Sequence, residues 1–149
     1  MDAPFFYNDR ENIIAAVEQE MAENDNVAAA YIFGSILETG IFNDIDILIL
    51  PEKNALNHIF LIYKISANLA EKLNISSDFI DAILLDLEKT DPLILGEALK
   101  TGRLIKNQNP DYLSDKIYLP EMMLRRLLIS NLREVWLKLI KLNRLEIFC

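Results

Sequence analysis

The sequence predicts an α/β domain. Two apolar runs, Val27 to Phe33, which is continuous, and Ile45 to Leu50, which Asp46 interrupts, read as buried strands, and segments of helical spacing at Asn8 to Glu23 and Asn54 to Leu73 alternate with them. In the first helix the apolar positions are Ile13, Ile14, Val17 and Met21, and Asn24-Asp25-Asn26 ends it. Val27 to Phe33 contains Ala28-Ala29-Ala30, weak strand formers, but it is apolar throughout and Gly34 stops it. Ser35 to Glu38 opens a short helix that Gly40 can close. Asn43-Asp44 marks a turn, and the strand after it is stopped by Pro51. A third strand is expected over Asp78 to Asp86. Asp91-Pro92 starts a helix with proline in its first turn, and Thr101-Gly102 ends it with glycine at C′. Arg103 to Lys106 is a short extended segment.

Beyond it the composition shifts. Asn107 to Pro120 is polar and turn-rich, with Asn109-Pro110 and Ser114-Asp115, and reads as a linker. The expected organisation is a domain over 1–106, a linker over 107–120 and a C-terminal helix over 121–149. That helix carries Leu124, Leu128, Leu132, Val135, Leu139 and Leu142 at three/four spacing, flanked by Trp136 and Ile140. Arg125, Arg126, Arg133, Lys138, Lys141 and Arg144 make it locally basic. Its broad apolar face is expected to pack on the domain or on a partner chain, an oligomer included.

Size and charge narrow the function. The 149 residues, 52% of them hydrophobic, suffice for one domain with a real core. No apolar run is long enough to span a bilayer, and the N-terminus lacks a signal-peptide pattern, so a cytoplasmic protein is expected, with no membrane partner. A single cysteine, Cys149, allows neither an intramolecular disulfide nor a thiolate metal cluster. With 15 Lys and Arg against 23 Asp and Glu, the net charge of −8 opposes direct nucleic-acid binding and suits a basic protein partner. His58 stands in a helical segment with no second ligand and reads as a packing or surface residue. There is no P-loop motif.

The chemistry concentrates in two short stretches. Asp44 and Asp46 are two apart, so in an extended chain they share a face. Adjacent carboxylates raise each other's pKa, and a divalent cation removes the conflict. Mg²⁺ is usually held by one or two carboxylates together with substrate phosphates. Gly34-Ser35 lies at a strand-to-helix turn, where backbone N–H groups can receive phosphate. Ser35 with Glu38 also matches a capping box, S-x-x-E, and Asp44 can be a plain turn residue. The combination, at one end of two buried strands, is what points to a metal-bound nucleotide triphosphate.

The stretch Tyr31 to Leu50, YIFGSILETGIFNDIDILIL, resembles the signature of the nucleotidyltransferase superfamily, a Gly-Ser turn followed about ten residues later by Asp-x-Asp. Its subgroup is identified as the minimal nucleotidyltransferases, MNT, antitoxins paired with HEPN-domain RNases. Leu85 to Ile105 is similar to the segment after the third core strand in that subgroup, and the resemblance covers Val27 to Lys106.

It implies a small mixed β-sheet flanked by helices, with 1–106 as the nucleotidyltransferase domain. It implies ATP with Mg²⁺ as donor and transfer of AMP to an acceptor, in this subgroup a tyrosine hydroxyl of the HEPN toxin. Gly34 and Ser35 would hold phosphates, and Asp44 and Asp46 the metal. The family's third carboxylate aligns best with Ile83. Asp81, two residues earlier on the same strand face, is taken for that role, since Asp86 has the opposite parity and Asp78 begins the strand. Glu38 stands where the subgroup carries an arginine. Two alternatives follow: a non-catalytic antitoxin that neutralises its toxin by binding, and a small-molecule nucleotidyltransferase.

Overall fold

The computed structural model describes residues 5–6, 9–38, 41–86 and 89–117. The C-terminal helix expected over 121–149, with Trp136 and Cys149, lies outside the described residues, as does Gly40.

In chain order the elements are β1 (Phe5–Phe6), α1 (Arg10–Glu23), β2 (Val27–Phe33), α2 (Ser35–Glu38), β3 (Ile41–Phe42) and β4 (Ile45–Pro51). Then follow α3 (His58–Leu73), a 3₁₀ turn (Ser77–Phe79), β5 (Ile80–Leu84), α4 (Pro92–Thr101) and β6 (Arg103–Asn107). Residues 110–117 are helical. Four strands form one mixed sheet in the order β5-β4-β2-β6. β2 is antiparallel to both β4 and β6, while β4 and β5 are parallel. β1 and β3 form a separate two-stranded antiparallel pair. The expected mixed sheet with flanking helices is the fold.

Every residue of β2 is buried, and β4 is buried at all positions but Asp46. These are the central strands, covered on both faces, which is why their sequences run apolar without alternation. Alternate residues nevertheless go to different cores. Ala30, Ile32, Ile45, Ile47 and Ile49 pack with Ile14, Val17 and Met21 of α1 and Ile65 and Leu69 of α3. Tyr31, Phe33, Leu48 and Leu50 pack on the other face with Leu95 and Ala98 of α4 and with Leu113.

The helix ends follow capping chemistry. Asp91 caps α4, accepting from Leu93 N–H at 2.9 Å, with Pro92 in the first turn as the sequence suggests. The ammonium of Lys106 donates to the carbonyls of Met21 and Asn24, both at 2.7 Å, and so satisfies the end of α1 from the neighbouring strand. Buried Thr90 ties the end of β5, accepting from Asp86 N–H at 3.0 Å and donating to the Leu84 carbonyl.

Three expectations change. The second long helix starts at His58 instead of Asn54, because Asn57 adopts φ +45° and accepts from Phe60 N–H at 3.0 Å. Gly102 does not take a left-handed C′ conformation. Its φ is −71°, and glycine is needed because a Cβ would run into the Ala98 carbonyl. The polar stretch read as a linker over 107–120 is built differently where it is described: Asn107 completes β6, and residues 110–117 form a helix that buries Leu113.

Candidate active site

Gly34 and Asp46 are held together by strand pairing. β2 and β4 register Phe33 opposite Asp46, so the turn leaving β2 meets the start of β4. Gly34 has φ +85°, a conformation that L side chains rarely adopt. The space where a Cβ would stand is occupied by the Asp46 carboxylate, whose Oδ2 would overlap it and whose Cγ would be 3.2 Å away. Glycine is thus required twice, by the backbone and by the carboxylate behind it. Leu37 N–H donates to the Gly34 carbonyl at 3.0 Å, closing the first turn of α2, with Ser35 as its first residue and Ile36 buried beneath.

Parallel pairing of β4 with β5 brings a further aspartate, Asp81, beside Asp46. Asp46 lies directly opposite Asp81, and Leu48 opposite Ile83. The position favoured by family alignment, Ile83, therefore faces an apolar neighbour, whereas Asp81 faces the aspartate pair. Asp46 has the strand parity of Leu48 and Leu50, which places it on the α4 side of the sheet.

The electrostatics of the aspartates follow from this proximity. Burial, followed by the charge of Asp81 and a hydrogen bond to it, pushes the Asp46 carboxyl from 3.8 up to about 7, with smaller contributions from Asp44 and Glu97. Asp44 is also raised, by burial and then by Asp81. All three aspartates named from the sequence thus feel one another, with Asp46 packed against Gly34. Asp78 stands in the 3₁₀ turn before β5, and Asp86 beyond its end. Glu97 of α4 is an acid the sequence reading did not name. The signal was available in its flanking residues: Leu95 and Ala98 pack α4 against the Asp46 face. Glu38 is exposed at the end of α2, and His58 is exposed at the start of α3.

The donor set fits a divalent cation. Asp44 and Asp46, both raised by burial and then by the charge of Asp81, gain from a shared positive charge. Among the described residues no three His, Cys, Asp or Glu side chains close a protein-only metal cage. Mg²⁺ suits such a partial site, since it takes its remaining ligands from water and substrate phosphate.

Residues 15–111 match the family described as Polymerase beta, Nucleotidyltransferase. The chain belongs to this nucleotidyltransferase family. No protein of curated function matches the sequence. Among solved structures, a chain of an MntA-HpeT toxin-antitoxin complex with two Asp-to-Glu substitutions is similar at TM-score 0.58 and 16% identity, over 85% of this chain and 94% of that one. A toxin-antitoxin with AMP-PNP gives TM-score 0.58 and 18% identity, over 84% and 94%. A complex of tri-AMPylated Shewanella oneidensis HEPN toxin with MNT antitoxin gives TM-score 0.55 and 18% identity, over 85% and 98%. At these identities the likeness shows a shared fold across nearly the whole of each of those chains.

Proposed function

We propose that this chain is an antitoxin that transfers AMP from ATP-Mg²⁺ to a tyrosine hydroxyl of a HEPN-domain RNase toxin. The observation that carries the reading is the register that sets Asp81 opposite Asp46, beside the Gly34-Ser35 turn. The solved relatives support it, one holding AMP-PNP and another a tri-AMPylated HEPN toxin beside its MNT antitoxin.

In this reading Asp44 and Asp46 hold Mg²⁺, which when bound neutralises phosphate charge and polarises the α-phosphorus. Gly34 and Ser35 orient the phosphates through backbone N–H groups and the Ser35 hydroxyl. A tyrosine with a pKa near 10 is a poor nucleophile at neutral pH. Asp81 accepts the phenolic proton as the tyrosine oxygen bonds to the α-phosphorus. The bond to the bridging oxygen breaks, pyrophosphate leaves, and AMP remains on the tyrosine.

Glu38 favours a second reading. An acid stands where the subgroup's short helix carries an arginine, and a masking antitoxin needs no transfer. Mass spectrometry of the HEPN partner after incubation with ATP-Mg²⁺ separates the two. Added AMP mass on the partner is expected. An inhibited partner with no added mass rejects the enzyme reading and leaves a binding antitoxin on a nucleotidyltransferase scaffold.

A further inference from the structure

The strand order gives the aspartate site a direction. The Gly34-Ser35 turn follows β2, Asp46 stands on β4 and Asp81 on β5, three adjacent strands about 4.8 Å apart. Among the described residues β5 is the edge strand of the sheet. In phosphoryl transfer the attacking and leaving oxygens lie roughly in line. With pyrophosphate held at the Gly34-Ser35 turn, the acceptor oxygen arrives from the opposite side of the aspartate pair, which is the side of β5. The rest of the acceptor side chain then lies over the edge of the sheet.

β5 shows what that side chain meets. Its residues alternate between the two faces. Ala82 packs against the α1–α3 core, and Ile83 against the α4 core. Ile83 therefore shares the face of Asp81 and stands about 7 Å further along the strand, comparable with the length of a phenol side chain from its oxygen to its Cβ. Asp81 is exposed and Ile83 is half-buried. Opposite Ile83 on β4 is Leu48, fully buried, and half-buried Ile94 of α4 packs on the same core. One step along this face thus leads from a carboxylate to an apolar surface. A serine or threonine hydroxyl placed at Asp81 leaves that surface bare, whereas a tyrosine covers it. Residues 121–149 contain no tyrosine, so the chain's own C-terminal segment cannot supply such a phenol.

We propose that Ile83 seats the ring of the acceptor tyrosine while its hydroxyl meets Asp81, an inference that rests on the transfer reading and goes beyond it. Ile83 is then a specificity-determining residue, favouring a phenolic over an aliphatic hydroxyl. The side chain that stands where the family's third carboxylate aligns best has an apolar task.

Methyl NMR of the full chain reads the contact without any variant. With isoleucine δ1-methyls labelled and AMP-PNP and Mg²⁺ present, N-acetyl-tyrosinamide is expected to move the Ile83 methyl upfield through its ring current. N-acetyl-serinamide is expected to leave it in place. An upfield shift produced by AMP-PNP and Mg²⁺, with none added by N-acetyl-tyrosinamide, gives the surface to adenine and overturns the proposal. A methyl moved by neither, as when the chain's own residues cover it, overturns it too. Transfer kinetics separate the ring seat from the transfer reading. Ile83→Asn should raise KM for the HEPN partner about tenfold or more, with kcat and ATP affinity kept. Ile83→Leu should stay close to wild type. A wild type that transfers no AMP rejects the transfer reading, and the proposal falls with it. A wild type that transfers AMP, with KM unchanged in Ile83→Asn, rejects the ring seat alone.

Discussion

Asp46 meets two influences, burial against Gly34 and proximity to Asp81, and both favour its neutral form. Its carboxyl, raised to about 7, keeps a proton in the fold that the unfolded chain loses near pH 4. Stability from this source is present in full below the ordinary value and is lost as pH rises through about 7. The metal-free protein should therefore melt at lower temperature at pH 8 than at pH 5, and Asp46→Asn should flatten that slope. A wild-type melting temperature that rises over this window, with the variant flat, would contradict the assignment. Asp81 has a separable part. If it takes the phenolic proton, Asp81→Asn leaves ATP binding by calorimetry largely intact and lowers AMP transfer by roughly 10²–10⁴-fold. An equal loss of both would make Asp81 a ligand of the nucleotide complex and not its base.

The turn from β2 to α2 joins residue chemistry to element geometry. Gly34→Ala must take a left-handed φ, costing about 1–2 kcal/mol, and must also displace the Asp46 carboxylate. For a chain of this size the backbone cost alone lowers the melting temperature by roughly 2–8 °C, which calorimetric scanning would read. An unchanged melting temperature would mean that the turn relaxes freely. This turn was legible in the sequence because an apolar run, a glycine and a short polar helix follow one another between two buried strands. Asp44 and Asp46 were legible as an Asp-x-Asp pair, one before and one interrupting the second such run. Asp81 was named from the sequence, but parity alone cannot separate it from Ile83, since only the parallel β4–β5 register, a non-local pairing, sets Asp81 opposite Asp46. The helix at 110–117 was missed although it starts as α4 does. Asn109 accepts from Tyr112 N–H at 3.4 Å and Pro110 occupies the first turn, yet Asn-Pro amid polar residues reads equally as a plain turn. The strands Phe5–Phe6 and Ile41–Phe42 are two residues each, too short to show any periodicity.

At the scale of the molecule, the sheet separates two kinds of surface. The α4 face carries the aspartates, and the α1–α3 face carries a groove beside exposed Leu56 and Phe60. The aspartate site draws on three elements of one sheet: the turn after β2, the start of β4 and the start of β5. The carboxylates at the starts of β4 and β5 repel, so the metal-free fold holds these strands together against a local electrostatic cost. A ligand that bridges all three elements and neutralises them stabilises the native state alone. Its effect is RT ln(1 + [L]/Kd), or about 2.7 kcal/mol at a hundredfold excess over Kd. For a chain near 150 residues that is a rise of roughly 5–11 °C in melting temperature. Because the phosphates and the aspartates are both anionic, ATP alone gains little and the full rise should need Mg²⁺. Thermal melts with ATP and MgCl₂, with ATP and EDTA, and with MgCl₂ alone read this directly. The Asp44→Asn/Asp46→Asn variant should lose the rise with ATP and MgCl₂, while Ser35→Ala should keep most of it through the remaining backbone donors. A rise of the same size with ATP and EDTA would place the nucleotide away from the aspartates and sink the metal-bridged site.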